Sequence, residues 1–180
     1  LAVLPGSRLG EIARLGRDFL DAAVLLRREF PHLCVVLPAA NAACADAVRA
    51  LARDSRAQAR DDSAWLHILS PHAAEPLRSD AADESETTNR ESHRCMIAAD
   101  AILLASGTAA LEAMLAKRPM VVAYRIAPTT YRIVKALGML KTSVYSLPNI
   151  LAGRALVPEL MQDDCTPSAL AAALAPMLRA

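Results

Sequence analysis

The sequence predicts a doubly wound α/β fold of the Rossmann-like type, a parallel sheet covered by helices on both faces. Two observations predict it. Short apolar runs, typical of buried strands, alternate with longer segments of helical periodicity along most of the 180 residues. Small and polar residues follow several of these runs directly, as they do where a parallel strand ends and a helix begins.

The first half of the chain predicts strands and helices in strict alternation. The mostly apolar runs at 1–4, 33–37 and 65–69 are short enough for buried strands. Between them, over 11–30 and 42–53, apolar residues recur every three or four positions, which is the spacing of an amphipathic helix. The order is that of two consecutive βαβ units.

The second half continues the alternation with shorter elements. A short helix at 92–98 leads to a strand at 101–104, and a helix at 108–116 leads to a strand at 120–124. Periodic apolar residues then predict three further helices, at 129–137, 155–161 and 167–178.

The composition fits a single domain, over 1–180, with one aliphatic core. Hydrophobic residues make up 54% of the chain and aromatic residues only 3%. The 20 Lys and Arg residues against 19 Asp and Glu give a formal net charge of +1, so no bulk field attracts nucleic acid. We therefore expect a partner that is recognised through local contacts.

One segment, at 70–91, departs from the alternation. It carries charged and hydroxyl side chains with almost no apolar periodicity, and we expect a mobile surface insertion there. A functional lid is the alternative. Because nothing in the segment has a catalytic arrangement, its composition favours a tolerated loop insertion.

Cysteine, histidine and acidic residues show no metal-binding or nucleophile pattern. The four cysteines form no CxxC pair, and three lie in apolar or helical stretches, so we expect reduced, buried thiols in a cytosolic protein. The histidines are scattered, and pairs such as Asp61-Asp62 and Asp163-Asp164 are typical of solvated turns. We predict no metal and no cofactor.

The chain begins with Leu1 inside an apolar strand, without an initiator Met or a leader, and we expect it to be a fragment of a longer protein. No run of about 18 apolar residues without charges is present, which argues against a spanning helix. A peripheral membrane contact is still compatible with the sequence.

The loop after the first strand has residues suited to binding a phosphate. Gly6 lets the backbone approach a ligand, Ser7 offers a hydroxyl, and Arg8 can donate two parallel hydrogen bonds to a phosphate. The spacing matches neither the P-loop nor GxGxxG. The alternative is a turn in which Arg8 pairs with a neighbouring carboxylate.

A second turn lies between the strand at 101–104 and the next helix. Ser106, Gly107 and Thr108 form this turn. The unpaired backbone amides at the start of the helix point toward any ligand that occupies the turn, and a phosphate would suit that place. Glu112, about one turn into the helix, can accept hydrogen bonds from a sugar hydroxyl, and the pairing predicts a nucleotide with a ribose. Alternatively, Ser106 and Thr108 cap the helix and Glu112 is solvated.

Two further loops carry candidate binding residues. Tyr124 and Arg125 end a strand and could stack on a base or contact an anion, although Tyr124 could also be a packing residue at the end of the sheet. In the second of these loops, a turn at 146–149, Pro148 stiffens the backbone, and the side-chain amide of Asn149 presents a hydrogen-bond donor and an acceptor. Asn149 either orients a sugar or phosphate oxygen or satisfies its own turn.

The stretch at 126–141 is apolar, with Arg132, Lys135 and Lys141 spaced along it. Such a stretch can lie at a lipid surface with its cations near anionic headgroups. The alternative is an ordinary amphipathic helix with solvated cations.

Three blocks of sequence together resemble the lipid-A-disaccharide synthases, which are glycosyltransferase family 19 of the GT-B fold. The blocks are LPGSRxGEI, MIAADAILLASGTAALEAMLAKRPMVVAYR and SLPNILAGRxLVPELMQDDCTP. They occur in the family's order and cover nearly the whole chain apart from 70–90. Other UDP-sugar glycosyltransferases and epimerases of the same two-domain architecture share the glycine turn and the helix carboxylate, but not the SLPN block.

The resemblance implies the carboxyl-terminal, nucleotide-sugar-binding half of an enzyme. Family members join UDP-2,3-diacylglucosamine to 2,3-diacylglucosamine 1-phosphate, which forms the β-1,6-linked lipid A disaccharide and releases UDP, with inversion and without metal. The implied location is cytoplasmic, peripheral on the inner face of the bacterial inner membrane, with a missing amino-terminal domain as partner. We expect this fragment alone to be inactive. A non-catalytic nucleotide-binding α/β module is the alternative.

The resemblance also implies roles for single residues. By motif, the family's essential Arg and Asn map onto Arg8 and Asn149. Arg8 would neutralise the diphosphate, and the amides around Gly107 and Thr108 would donate hydrogen bonds to it. Glu112 would bind the ribose, and Asn149 would orient the donor or its phosphate. The remaining members of the implied UDP-sugar site are Gly6, Ser7, Ser106 and Tyr124, and the general base lies outside this chain.

Overall fold

The computed structural model describes residues 1–54, 65–70, 84–127, 130–131 and 144–179. The strands are β1 (Ala2–Leu4), β2 (Val35–Pro38), β3 (Leu66–Leu69), β4 (Ile102–Ala105), β5 (Met120–Tyr124) and β6 (Glu159–Met161). The helices are α1 (Leu9–Glu29), α2 (Ala42–Asp54), α3 (Glu84–Ala98), α4 (Ala109–Leu115), α5 (Leu147–Ala152) and α6 (Pro167–Leu178), with a 3-10 turn at Gln162–Asp164.

The strands form one parallel sheet in the order β3-β2-β1-β4-β5-β6. From β1 the chain adds strands outward to one side, and it then returns to place β4 on the other side of β1. The winding therefore reverses between β1 and β4. Ligands of doubly wound sheets bind at the carboxyl ends of the strands at such a point. The predicted doubly wound α/β fold is confirmed.

Each face of the sheet packs against its own helices, because successive strand residues point to opposite faces. On one face, α1, α2 and α6 cover a core that includes Val3, Val35, Leu103 and Val121. On the other face, α3 and α4 cover a smaller core that includes Ala2, Leu4, Ile102, Leu104 and Val122. The central strands are thus apolar on both sides, as the continuous apolar runs predicted.

The helix predicted at 155–161 is wrong, because the segment ends in strand β6. The residues of β6 pair with β5 in parallel, with Glu159 opposite Val122 and Met161 opposite Tyr124. Pro158 precedes the strand and its ring is incompatible with a helix interior, whereas the free edge of β5 offers hydrogen-bonding partners to an extended chain.

The segment expected to be a stiff turn at 146–149 opens helix α5 instead. Pro148 stands in the first turn of this helix, where its missing amide has no cost, and Gly153 ends it with φ of 65°. Helix α3 also differs from the prediction. It begins at Glu84, inside the expected insertion at 70–91, while 71–83 lies outside the described residues.

The expected lipid-facing stretch at 126–141 lies mostly outside the described part of the chain, including Arg132, Lys135 and Lys141. A role for it at a membrane stays a prediction. Among the helices that the structure describes, none combines the length and the apolar character needed to cross a bilayer.

Candidate functional site

Three of the predicted loops leave the same edge of the sheet. Strands β1, β4 and β5 are neighbours, and their register aligns Leu4, Leu104 and Val122 in one row. Because the strands are parallel, the loops that follow them lie side by side. The structure thus brings the following predicted residues to one edge: Gly6, Ser7, Arg8, Ser106, Gly107, Thr108 and Tyr124.

The first loop turns sharply at Gly6, which has φ of 122°. A β-carbon at this position would lie 2.3 Å from Glu11 Oε2 and 2.6 Å from Glu11 Cβ. The Glu11 carboxylate folds back over the turn, where its Oε2 accepts a hydrogen bond of 3.0 Å from the Ser7 amide. Both the conformation and the space at position 6 therefore require glycine.

Arg8 occupies the position just before α1, and its side chain is 84% exposed. The nearest carboxylate oxygen in its ion pair, Glu11 Oε1, lies 4.0 Å from Arg8 Nη1. An ion pair at that distance and exposure contributes little to stability. Glu11 therefore holds Arg8 only weakly, although the sequence left open that a neighbouring carboxylate fixes this arginine. The guanidinium can turn toward an incoming anion.

The turn between β4 and α4 is open on its outer side. The Ser106 amide donates to Ala123 O at 2.8 Å, and the next turn bond runs from the Ala110 amide to Gly107 O at 3.2 Å. Thr108 precedes the helix but makes no capping hydrogen bond with its side chain. A β-carbon on Gly107 would meet nothing within 4 Å. The turn has space in front of it for a ligand.

Two predicted residues flank this turn. Glu112 lies in the first turn of α4 and is partly exposed, with its amide donating to Thr108 O at 3.3 Å. Tyr124 ends β5 and is 38% exposed. Both residues are at least partly exposed to solvent.

Arg125 has its guanidinium engaged within the chain. Nη1 donates to Arg14 O at 2.7 Å and pairs with Asp18, Nη2 donates to Cys165 O at 2.7 Å, and Nε donates to Gln162 O at 3.3 Å. These contacts tie α1 to the loop after β6. Arg125 is thus a connecting residue in this structure, whereas the sequence suggested an anion contact.

Asn149 is buried in α5, and its amide is fully hydrogen-bonded. Oδ1 accepts from the Leu156 and Val157 amides at 2.6 and 2.8 Å. Nδ2 donates to Val157 O at 2.9 Å and to the Glu159 carboxylate. The expected direct contact between Asn149 and the donor stays a prediction, and the contacts present here fix the segment around α5.

Sequence reasoning missed Glu159, whose carboxylate accepts hydrogen bonds from the Tyr145 amide, from the Ser146 amide and hydroxyl, and from Asn149. Burial alone would raise its pKa, but these hydrogen bonds outweigh burial and hold the pKa of Glu159 below its usual value. The available signal was a single carboxylate in the apolar run LVPELM, which was hidden because the run was interpreted as a helix.

The cysteines in the described residues are free thiols. Burial raises the pKa values of Cys44, Cys95 and Cys165. Cys34 is exposed, contrary to the expectation that all four are buried, because it lies just before β2. In the described residues, His, Cys, Asp and Glu nowhere form a group of three that could hold a metal ion.

Comparison with known proteins points to one family. The family model described as Lipid-A-disaccharide synthetase matches residues 77–180. The chain is similar to proteins named lipid-A-disaccharide synthase from several bacteria. It is 49% identical to that of Xanthomonas oryzae pv. oryzae (strain MAFF 311018) over 99% of this chain. It is 52% identical to that of Xanthomonas campestris pv. campestris (strain 8004), and 51% to that of Xylella fastidiosa (strain M23), each over 97% of this chain.

The matched region makes up 36%, 34% and 39% of these three relatives, so the chain spans about a third of their length. The match covers the loop with Arg8, the turn at 106–108 and the segment with Asn149 in a single alignment. The resemblance inferred from three sequence blocks is confirmed, and this chain belongs to the lipid-A-disaccharide synthase family.

Proposed function

We propose that this chain is the nucleotide-sugar-binding part of a lipid A glycosyltransferase. It binds UDP-2,3-diacylglucosamine for transfer to 2,3-diacylglucosamine 1-phosphate, with release of UDP. One observation supports this most directly. In a chain of this family, the loop of Arg8 and the turn at 106–108 lie at the carboxyl edge of neighbouring strands, and Glu112 lies in the first turn of the helix that follows the turn.

The chemistry of the reaction explains why a cation is needed there. Displacement at the anomeric carbon requires a base on the acceptor hydroxyl and relief of the negative charge that grows on the departing UDP. Arg8 supplies the relief, because its exposed guanidinium can donate two parallel hydrogen bonds to a diphosphate. The backbone amides of Gly107 and Thr108 add neutral donors on the other side of the site.

The nucleoside is bound by the flanking residues. Glu112 accepts hydrogen bonds from ribose hydroxyls, which are donors that a carboxylate can accept. Tyr124, at the end of β5, offers an aromatic face for the base. Gly6 and Ser7 let the first loop approach the diphosphate closely. No step of this scheme needs a metal ion.

The remaining parts of the reaction lie outside this chain. The general base and the acceptor site belong to an amino-terminal domain, and we expect no disaccharide synthesis from the 180 residues alone. Because both substrates carry acyl chains, the enzyme works at a membrane surface, on the inner face of the bacterial inner membrane.

Calorimetric titration of the chain with UDP tests the binding site. Loss of charge-assisted hydrogen bonds in Arg8→Ala should weaken binding by about 10-fold or more. Glu112→Ala should also weaken it. Arg17→Ala is the control, since Arg17 is a half-exposed arginine on α1, the helix that follows Arg8. Unchanged affinity in both site variants would refute the proposal.

Activity is tested in a chimera in which this chain replaces the matching region of the Xanthomonas oryzae synthase. We expect the chimera to form the disaccharide from the two acylated sugars, and Arg8→Ala to abolish most of that turnover. A non-catalytic nucleotide-binding module would bind UDP and leave the chimera inactive.

A further inference from the structure

Glu159 occupies a position where its neighbours across the sheet are aliphatic. The register places it in one row with Leu4, Leu104 and Val122, which are buried in the core under α3 and α4. Glu159 is partly buried there, so its carboxylate loses part of its hydration, which is costly unless hydrogen bonds replace the lost water. The carboxylate at this position provides hydrogen-bond acceptors that an aliphatic side chain would lack.

The hydrogen bonds of Glu159 connect it to the residues that precede α5. The carboxylate accepts from the Tyr145 amide at 2.8 Å and from the Ser146 amide at 2.9 Å, and it also accepts from the Ser146 hydroxyl. These donors lie immediately before α5, so Glu159 fixes the start of that helix from the neighbouring strand. Ser146 itself is buried.

Asn149 closes the same network from within α5. Its amide joins Glu159 through Nδ2 and also holds both backbone groups of Val157 and the Leu156 amide. The two donors and two acceptor positions of the amide are all used, so Asn149 has none left for a ligand. Asn149 and Glu159 together link α5 to the beginning of β6.

Helix α5 in turn supports the candidate site. It packs against α4, the helix that follows the turn at 106–108 and carries Glu112. We propose that Asn149 and Glu159 act as one positioning unit for the nucleotide-sugar site, with Asn149 acting through Glu159 and not by contact with the donor. The effect on sugar transfer rests on the proposed function above, whereas the pairing itself does not.

The pairing is tested by amide hydrogen exchange on the 180-residue chain. We expect Asn149→Ala and Glu159→Gln each to speed exchange at the amides of Tyr145 and Ser146 and also at those of Leu156 and Val157. The control is Glu29→Gln, an exposed carboxylate on α1. If Glu159→Gln left the amides of residues 156–157 as protected from exchange as in the parent chain, the proposal that Asn149 and Glu159 act as one unit would be overturned.

The functional part is tested by a double-mutant cycle on kcat/KM for the donor in the chimera. We expect Asn149→Ala and Glu159→Ala each to lower kcat/KM at least 10-fold, and the double variant to lower it by about the same factor as either alone. If the double variant instead lowered kcat/KM by the product of the two single factors, Asn149 would have a role separate from Glu159, and the inference would be overturned. The acceptor KM should not change.

A pair of conservative substitutions distinguishes the loss of this pairing from general misfolding. Asn149→Asp places two carboxylates against each other and should lose activity, and Glu159→Gln in the same chain should restore part of kcat/KM by returning a donor between them. No recovery would count against the pairing. If the parent chimera is inactive and the chain binds no UDP, the proposed function fails, while hydrogen exchange still decides the pairing.

Discussion

The Glu11 carboxylate lies over the turn at Gly6 and accepts a hydrogen bond of 3.0 Å from the next amide, that of Ser7. The turn leads directly to Arg8, so the direction in which this cation leaves the sheet depends on how Glu11 and Gly6 fit together. A β-carbon on residue 6 would lie 2.3 Å from Glu11 Oε2, and the backbone φ of 122° disfavours any other residue.

Gly6→Ala should therefore lower the free energy of unfolding by about 1–3 kcal/mol and weaken UDP binding. Gly107→Ala is the matched control, since a β-carbon there meets nothing within 4 Å. Gly107→Ala should leave stability nearly unchanged but weaken UDP binding, because the added methyl group enters the open space before the turn. Urea denaturation and calorimetry measure the two effects, and equal stability of both variants would contradict the argument.

Arg125→Ala should destabilise the fold more than the loss of an exposed ion pair. Arg125 and Asp18 are only 28% and 22% exposed, and three backbone carbonyls also accept from the guanidinium. We expect a loss of about 2–3 kcal/mol on chemical denaturation. Arg17→Ala, which removes a more exposed pair with Asp21, should cost at most about 1 kcal/mol. If Arg125→Ala and Arg17→Ala lost similar amounts of unfolding free energy, the buried contacts of Arg125 would add nothing to stability beyond an exposed ion pair.

Thr166 caps the last helix, and its removal should have a local cost. Its Oγ1 accepts a hydrogen bond of 3.2 Å from the Ala169 amide at the start of α6. Thr166→Ala should lower the free energy of unfolding by about 1 kcal/mol, while Thr166→Ser should retain most of it. Thermal denaturation measures both, and a serine variant as unstable as the alanine one would exclude the cap as the cause.

The doubly wound parallel arrangement and the loops at the carboxyl ends of its strands could be predicted because both follow from local sequence patterns. Continuous apolar runs such as 101–104, which are followed by turn residues, are typical of strands buried on both faces of a sheet, and parallel strands place their following loops together. The two loops, Gly6 to Arg8 and Ser106 to Thr108, each follow a predicted strand directly, so the sequence indicates that they lie at the same edge of the sheet.

The region of α5 and β6 could not be predicted in this way. Six residues of helix and three of strand are too short for periodicity to distinguish them. Their structure depends on tertiary contacts, namely the pairing of β6 with β5 and the hydrogen bonds between Asn149 and Glu159. The internal engagement of Arg125 was equally hidden, because its partners are far away in sequence.

Glu159 should make stability depend on pH in the acidic range. Hydrogen bonds hold the pKa of its carboxyl below the usual value despite burial, so folding favours the ionised form. Its contribution is complete above the unfolded pKa of about 4.3 and is lost as the pH falls through the lower folded pKa. Glu159→Gln should therefore flatten the fall in unfolding free energy below about pH 4.3. Glu29→Gln is the control, and an unchanged slope in Glu159→Gln would contradict the prediction.

Glu112 should be the residue that distinguishes a ribose from a deoxyribose. Its carboxylate is partly exposed in the first turn of α4, beside the turn at 106–108. A carboxylate that accepts from both ribose hydroxyls loses one charge-assisted hydrogen bond when the 2′-hydroxyl is absent, so the chain should bind UDP about 10-fold more tightly than 2′-deoxy-UDP. In Glu112→Ala the two ligands should bind with nearly equal affinity, whereas Arg8→Ala should weaken both and keep their ratio. Calorimetric titration of the three proteins with both ligands gives these ratios. A preference for UDP that persists in Glu112→Ala would assign ribose recognition to another residue.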